Sequence, residues 1–495
     1  MNPVQLLPQV QDFLNRNHGH FIDGAPTLSQ GQRIPVVNPT TAETIATVAN
    51  ATESDVAAAV NSSRRAFEGS WGEAPPASRA SALLRLADLL LVNGNELAQL
   101  ETLQSGKTLQ LSRHFEIEAA ATFLRHYAGA ATRITGQTIN PSLSSLSGEK
   151  YSALTLRKPL GVVAGVVPWN FSILIAVWKF ASALATGCTS VIKPSEYTPL
   201  TALRIAELAI EAGVPPGVLN VVNGRGSAGQ ALIEHPNIAK VSFTGSVPTG
   251  ISVGRAAVSS KLTRFTLELG GKNSVGFLKD VDAEKAAAGV LEAGFIHQGQ
   301  VCAAGERFFV HRTRMDEVLE KVSKALSSLT IGDPLDSATQ FGPLSNRPHF
   351  ERVSAFFDQA RSGGDQIVHG GKVMDRPGYF VEPTLVLAGS RTSTLLTQET
   401  FGPIGTFLPY DDEDELLSLF NETDFGLSAS LWTNDLSKAM RMVPKIEAGT
   451  VWVNMHSFLD PAVPFGGVKS SGVGREFGDA FINDYTELQS VIIRY

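Results

Sequence analysis

Between residues 160 and 270 the chain alternates short apolar runs with longer helix-like stretches, and this rhythm limits the folds open to it. GVVAGVVP (161–168), TSVIKP (189–194), VLNVVN (218–223), KVSFTG (240–245) and FTLEL (265–269) are predicted strands. Residues 172–187, 198–213, 227–235 and 246–259 are predicted helices, the first two closing on Gly187 and Gly213. Strands joined through helices pair in parallel, because a crossover returns the chain to the same end of the sheet. Strands apolar along their whole length fit a sheet covered on both faces. The predicted class is α/β with a parallel sheet. Its ligand sites are expected just beyond the carboxyl ends of the strands.

A second α/β stretch starts near Lys272. Residues 307–312, 406–410, 427–432 and 449–454 read as strands, and 412–421 and 436–449 as helices. Residues 282–299 read as one helix running toward Cys302. The acidic run 411–415 has the composition of a metal site, but at a helix start its charges offset the macrodipole, the reading favoured here. The first 20 residues are expected to form a loose arm that carries His18 and His20. No metal-binding spacing is found. The uncharged stretch 159–178 is long enough to span a bilayer, yet Pro168, Asn170 and Ser172 interrupt it, so strand, turn and helix are expected there.

The chain has 495 residues and a net charge of −7, which leaves no basic footprint for nucleic acid. Two cysteines permit no disulfide framework, and the first residues lack the basic and apolar segments of a secretory leader. A cytoplasmic protein is expected.

Several short stretches carry chemistry, each beside a plainer alternative. FTLELGGKN (265–273) sets Glu268 in an apolar strand before two glycines, so it is either a satisfied structural charge or a base at the strand end. GQVCAAGER (299–307) holds Cys302 among small residues, where it is a buried small hydrophobe or a nucleophile needing a base or a positive field. Cys188, before a core strand, is read as buried. In PWNF (168–171), Asn170 is a turn residue or a donor to a developing oxyanion. IKPSE (192–196) brings Lys193 and Glu196 to a strand end, as a surface ion pair or as partners for ribose hydroxyls; the glutamate would repel a 2′-phosphate and so favours NAD over NADP. GRGSAG (224–229) has dinucleotide spacing, but not at the first turn of the unit and without the acidic residue that should follow, which leaves a tight turn as the alternative. In FTGS (243–246), Gly245 permits close backbone approach and Ser246 either caps a helix or meets an anion.

Together these stretches resemble the aldehyde dehydrogenase superfamily. LELGGKN (267–273) and GQVCAAGER are its most specific signatures; PWNF, IKPSE, FTGS, ETFGPI (399–404), WVN (452–454) and PFGGVKSSG (464–472) follow in the expected order over almost the whole chain. The resemblance implies an NAD-binding domain (1–136 and 159–271), a catalytic domain (272–480) and an oligomerisation element (137–158 and 481–495) that joins a dimer or a homotetramer. It implies Cys302 as nucleophile, Glu268 as general base, and Asn170 with the Cys302 backbone N–H as the oxyanion site. For NAD it implies Lys193 and Glu196 at the adenosine ribose, Gly224 and Gly229 at the adenine, and Trp169 and Ser246 at the pyrophosphate. Glu399 is implied at the nicotinamide ribose and Phe401 at the nicotinamide ring. Branches that acylate coenzyme A typically lack the glutamate, so a free acid product is implied.

The implied substrate wall is Phe171, Trp178, Phe295, Ile296, Val301, Phe458 and Phe465, aromatic and uncharged, which suits an apolar aldehyde. Residues 10–24 and 452–467 look most like the phenylacetaldehyde-oxidising branch. Ser172 departs from the proline that most relatives carry there, and Ile296–His297 from an aromatic–Asn pair; His297 is expected behind the pocket or at the surface. The rival expectations are a broad aliphatic or aminoaldehyde oxidiser, a non-catalytic binding protein, and a thiol esterase independent of NAD.

Overall fold

The computed structural model describes residues 5–142, 147–259 and 261–495; parts of the predicted N-terminal arm and of the 137–158 segment lie outside these. The five predicted strands form one parallel sheet in the order Leu219–Val221, Thr189–Lys193, Val162–Val166, Ile238–Thr244, Arg264–Glu268. The order reverses between Val162–Val166 and Ile238–Thr244. Crossovers leave toward opposite sides there, and a crevice opens at the carboxyl ends. The residues that follow these two strands are PWNF and Gly245–Ser246.

The helix Ser172–Thr186 is buried at every position and closes on Gly187 at φ 91°. Burial all round explains why this stretch reads as apolar as a membrane span. Among the described residues no helix is long and apolar enough to cross a membrane.

The sheet extends antiparallel at both edges, through His20–Ile22 beside Leu219–Val221 and through Gly472–Val473 beside Glu268. The first of these edges corrects the expectation of a loose arm. Pro8–Leu14 is a helix whose Val10 and Phe13 are buried in the core. His18 is buried on the Phe13 ring and bonded to its carbonyl, and His20 accepts from the Asn223 N–H. Three apolar residues, Val10, Phe13 and Leu14, in so short a stretch gave too weak a period to be read as a helix.

From Glu268 the chain passes through only residues 269–272 before entering a second sheet at Asn273–Phe277. That sheet runs Gln366–His369, Thr384–Leu387, Ile404–Tyr410, Gly305–His311, Asn273–Phe277, Ser428–Trp432, Thr450–Val453, parallel except at its first strand. Asp412 caps the helix Glu413–Asn421, and the acidic run sits at that helix start. A third, three-stranded sheet pairs Thr486–Arg494 with Tyr151–Pro159, and the latter with Thr138–Ile139.

The helix expected through 282–299 stops at Gly294. Phe295 caps it, and the turn Ile296–Gly299 places His297 and Gln298 at φ 49° and 56°. Left-handed residues other than glycine are costly and persist where surrounding structure enforces them. Here the turn redirects the chain toward Cys302. Because Phe13 lies in the core, Phe13→Ala is expected to lower stability by about 3 kcal/mol, read from the urea midpoint; a loose arm would give no change.

Candidate active site

Cys302 lies in a loop whose carbonyls at Gln300, Cys302, Ala303 and Ala304 are held by side chains. The Asn273 amide donates to the carbonyls of Cys302 and Ala304, both at 2.8 Å, and its oxygen accepts from the Ser428 N–H at 3.1 Å. The Ala303 carbonyl meets His456 Nε2 at 2.7 Å and the Ser428 hydroxyl at 3.2 Å. Asn170, buried in the turn after Val162–Val166, donates to the Gln300 carbonyl at 3.0 Å. That single bond brings its amide to the Cys302 loop. An amide has two N–H donors, so one remains for a ligand. Asn170 and Cys302 share a cleft of about 690 Å³.

Glu268 is buried at its strand end, and neither carboxylate oxygen has a hydrogen-bond partner among the described residues. It is therefore not the satisfied structural charge of the plainer alternative. Burial holds its pKa well above the usual carboxylate value; Glu476 pushes it further up, and Lys179 and Arg475 pull it back. Gly466 makes room for it, since a Cβ there would lie 2.6 Å from Glu268 Oε1. Burial, and then the charges of Glu268 and Glu399, push the Cys302 thiol up to about 12. Cys188 is fully buried, as expected. Lys179 and Glu476 form a buried ion pair that sequence reading missed. Its one signal was a lone lysine in an otherwise uncharged helix, since such a charge needs a partner.

The cofactor side is built on the link between the sheets. Gly271 N–H donates to Glu399 Oε1 at 2.8 Å, and a Cβ on Gly270 would press against the Glu399 carboxylate, so a larger residue there would displace it. Lys272 pairs with Glu306, which also accepts from the N–H groups of Thr400 and Phe401, both at 2.8 Å. The signatures LELGGKN, GQVCAAGER and ETFGPI thus interlock. Phe401, at φ 53°, and Trp169 meet edge to face at 5.4 Å; His349 packs on Trp169 and bonds the Phe401 carbonyl. Gly245 and Ser246 line the same cleft, and the Ser246 hydroxyl bonds Thr249.

Lys193 is buried with its stem 3.4 Å from where a Cβ on Gly229 would sit, and its ammonium donates to the Pro194 carbonyl. Among the described residues no ion pair joins it to Glu196, which lines a neighbouring cleft with Arg225. Gly224, at φ 158°, packs beside Asn50 at the helix start. A lysine ammonium and a carboxylate at one strand end, a glycine cradle and a buried carboxylate at the link fit a dinucleotide.

Of the expected substrate wall, Phe171, Trp178 and Phe465 belong to one core cluster against which Val301 and Cys302 pack. Phe123 and Phe477 join it, with Trp178 4.6 Å from Phe477 and 5.5 Å from Phe123. Sequence reading missed both, because they come from remote segments. Phe295 packs instead into the core of the second sheet, while Ile296 is half-buried and Phe458 exposed. His297 is buried edge-on to Phe171 at 5.4 Å and is held neutral by burial.

Residues 27–491 match the model of the aldehyde dehydrogenase family. The chain is 45% identical to phenylacetaldehyde dehydrogenase from Pseudomonas fluorescens over 99% of this chain and 98% of that one. It is 41% identical to a betaine aldehyde dehydrogenase from Cereibacter sphaeroides over 96% of each. The NAD+ complex of an aldehyde dehydrogenase from Bacillus cereus superposes with a TM-score of 0.95 at 39% identity, covering 99% of both chains.

The raised thiol gives a direct expectation. In the protein without ligands, alkylation of Cys302 by iodoacetamide should be slow near neutrality and climb about tenfold per pH unit up to pH ~10. A plateau near the ordinary thiol value of about 8.5 would contradict it.

Proposed function

Because the chain belongs to the aldehyde dehydrogenase family and is an NAD-dependent aldehyde-oxidising enzyme, we propose that its preferred substrates are arylacetaldehydes, phenylacetaldehyde foremost, and that its product is the free acid. The observation that carries this reading is the aromatic content of the core against which Cys302 packs: Trp178, Phe123 and Phe477 are in mutual ring contact, Phe465 stacks on Phe477, and Phe171 belongs to the same core. Aromatic side chains favour a flat apolar ligand. The likeness to the Pseudomonas fluorescens enzyme supports it.

Glu268 takes the thiol proton and passes it to solvent, and Cys302, as thiolate, attacks the aldehyde carbon. The oxyanion that forms is held by the free N–H of the Asn170 amide and by the Cys302 backbone N–H. NAD, when bound, supplies the hydride acceptor. Collapse of the oxyanion expels the hydride and leaves a thioester on Cys302. Glu268 then takes a proton from water, which attacks the thioester and releases the acid. A buried carboxylate with no hydrogen-bond partner is poised for this, since its raised pKa makes it a stronger base.

Lys193 and Glu196 would hold the adenosine ribose, with Gly224 and Gly229 at the adenine and Trp169, Gly245 and Ser246 at the pyrophosphate. Glu399 and Phe401 would serve the nicotinamide end. The NAD-binding part comprises 1–136 and 159–271, the catalytic part 272–480, and 137–158 with 481–495 join subunits into a dimer or tetramer. Supporting this last point, the terminal strand presents Leu488, Ile492 and Ile493 to solvent. Two free cysteines suit the cytoplasm.

Two measurements check the reading. Hydrolysis of the thioester should rise with pH as Glu268 loses its proton, through a midpoint above the ordinary carboxylate value of about 4.3. Glu268→Gln should abolish that rise while a stoichiometric burst of NADH survives; loss of the burst with unchanged hydrolysis would contradict the role. Across an aldehyde panel, phenylacetaldehyde with NAD should give the highest kcat/KM. A peak on betaine aldehyde or a flat profile would overturn the substrate assignment and leave the chemistry standing.

A further inference from the structure

The helix Ser172–Thr186 begins two residues after Asn170 and, like any helix, opens with backbone N–H groups that have no partner within it. Its N-cap residue, Phe171, offers no side-chain bond. A remote carboxylate supplies the cap. Glu116 Oε1 accepts from the N–H groups of Ile173 at 2.9 Å and Leu174 at 3.1 Å. Its other oxygen bonds the Lys107 ammonium, which also donates to Glu101 Oε1 at 3.1 Å. Glu101 Oε2 accepts from the Ser172 hydroxyl at 2.7 Å and from Thr201 at 3.1 Å. The Lys107 ammonium lies 4.4 Å from the centre of the Phe171 ring. One cluster therefore grips residues 171, 172, 173 and 174 in turn.

All three charged side chains are fully buried. Two carboxylates face one ammonium, and the positive end of the helix supplies the balance. A buried ionic cluster gives little stability that apolar packing would not match, so it calls for another reason. Orientation is that reason here, because the gripped residues directly follow Asn170. Ser172 adds a hydroxyl bond to the grip, which a residue without a side-chain donor there could not make.

We propose that Glu101, Lys107 and Glu116, together with Ser172, are positioning residues that fix the helix start and so hold the Asn170 amide at the nucleophile loop. This rests on the reading of Asn170 as oxyanion donor. The cluster acts on every step that passes through an oxyanion and leaves the thiol itself and the dinucleotide groove alone.

The test is a double-mutant cycle. Glu116→Gln keeps the volume but sets amide hydrogens against the Lys107 ammonium or the helix N–H groups; Ser172→Ala removes one bond and is the milder variant should the first not fold. Each is made alone and with Asn170→Ala. The readouts are the single-turnover rate of NADH formation, the Kd for NAD, and alkylation of Cys302 by iodoacetamide, a displacement that forms no oxyanion. Glu116→Gln should slow NADH formation about tenfold or more and Ser172→Ala a few fold, with NAD affinity and alkylation within about twofold. In the Asn170→Ala background both losses should shrink below about twofold, since the residue they act through is gone. Equal losses in both backgrounds, or parallel losses in NAD affinity and alkylation, would overturn the proposal. Full activity in Asn170→Ala alone would instead overturn the oxyanion reading on which it rests.

Discussion

The structure turns on the buried pair of Lys272 and Glu306 at the crossing between the two sheets. Removing one partner of such a pair typically costs about 3–5 kcal/mol, because the other charge is left buried and alone. More than stability depends on it. Glu268 ends the strand before the crossing and Asn273 begins the strand after it. Glu399 rests on the Gly271 N–H, and the backbone of Thr400 and Phe401 rests on Glu306 itself. Base, loop support and cofactor side all take their places from four residues of chain.

Two buried glutamates show how the same side chain is put to opposite uses. Glu306 accepts from an ammonium and two backbone N–H groups, and is a fixed strut. Glu268 accepts from nothing among the described residues, and Gly466 leaves it open space. The first is satisfied and inert. The second carries an unmet demand for a hydrogen-bond partner, which water can answer.

Much of this was legible in the sequence where the signal was local. The strand–helix rhythm gave the first sheet, and LELGGKN with GQVCAAGER singled out Glu268 and Cys302, the base and thiol of the proposed reaction. What escaped lay in pairings between remote segments. Glu101, Lys107 and Glu116 carry no local signal, because nothing in their neighbourhood says that Glu116 reaches Ile173. Lys179 gave only the signal of one charge in an otherwise uncharged helix. The end of the helix at Gly294 was hidden because Phe295, Ile296 and His297 continue an apolar period, and the left-handed backbone that follows is enforced by tertiary contacts. Phe295, expected in the substrate wall, packs in the core of the second sheet, on a side set by a turn with no sequence signature.

A thiol held at about 12 also has a fate outside the reaction cycle. Peroxide and adventitious disulfides attack the thiolate, and oxidation beyond the sulfenic stage is largely irreversible. The burial that raises this thiol therefore disfavours the form that oxidants attack.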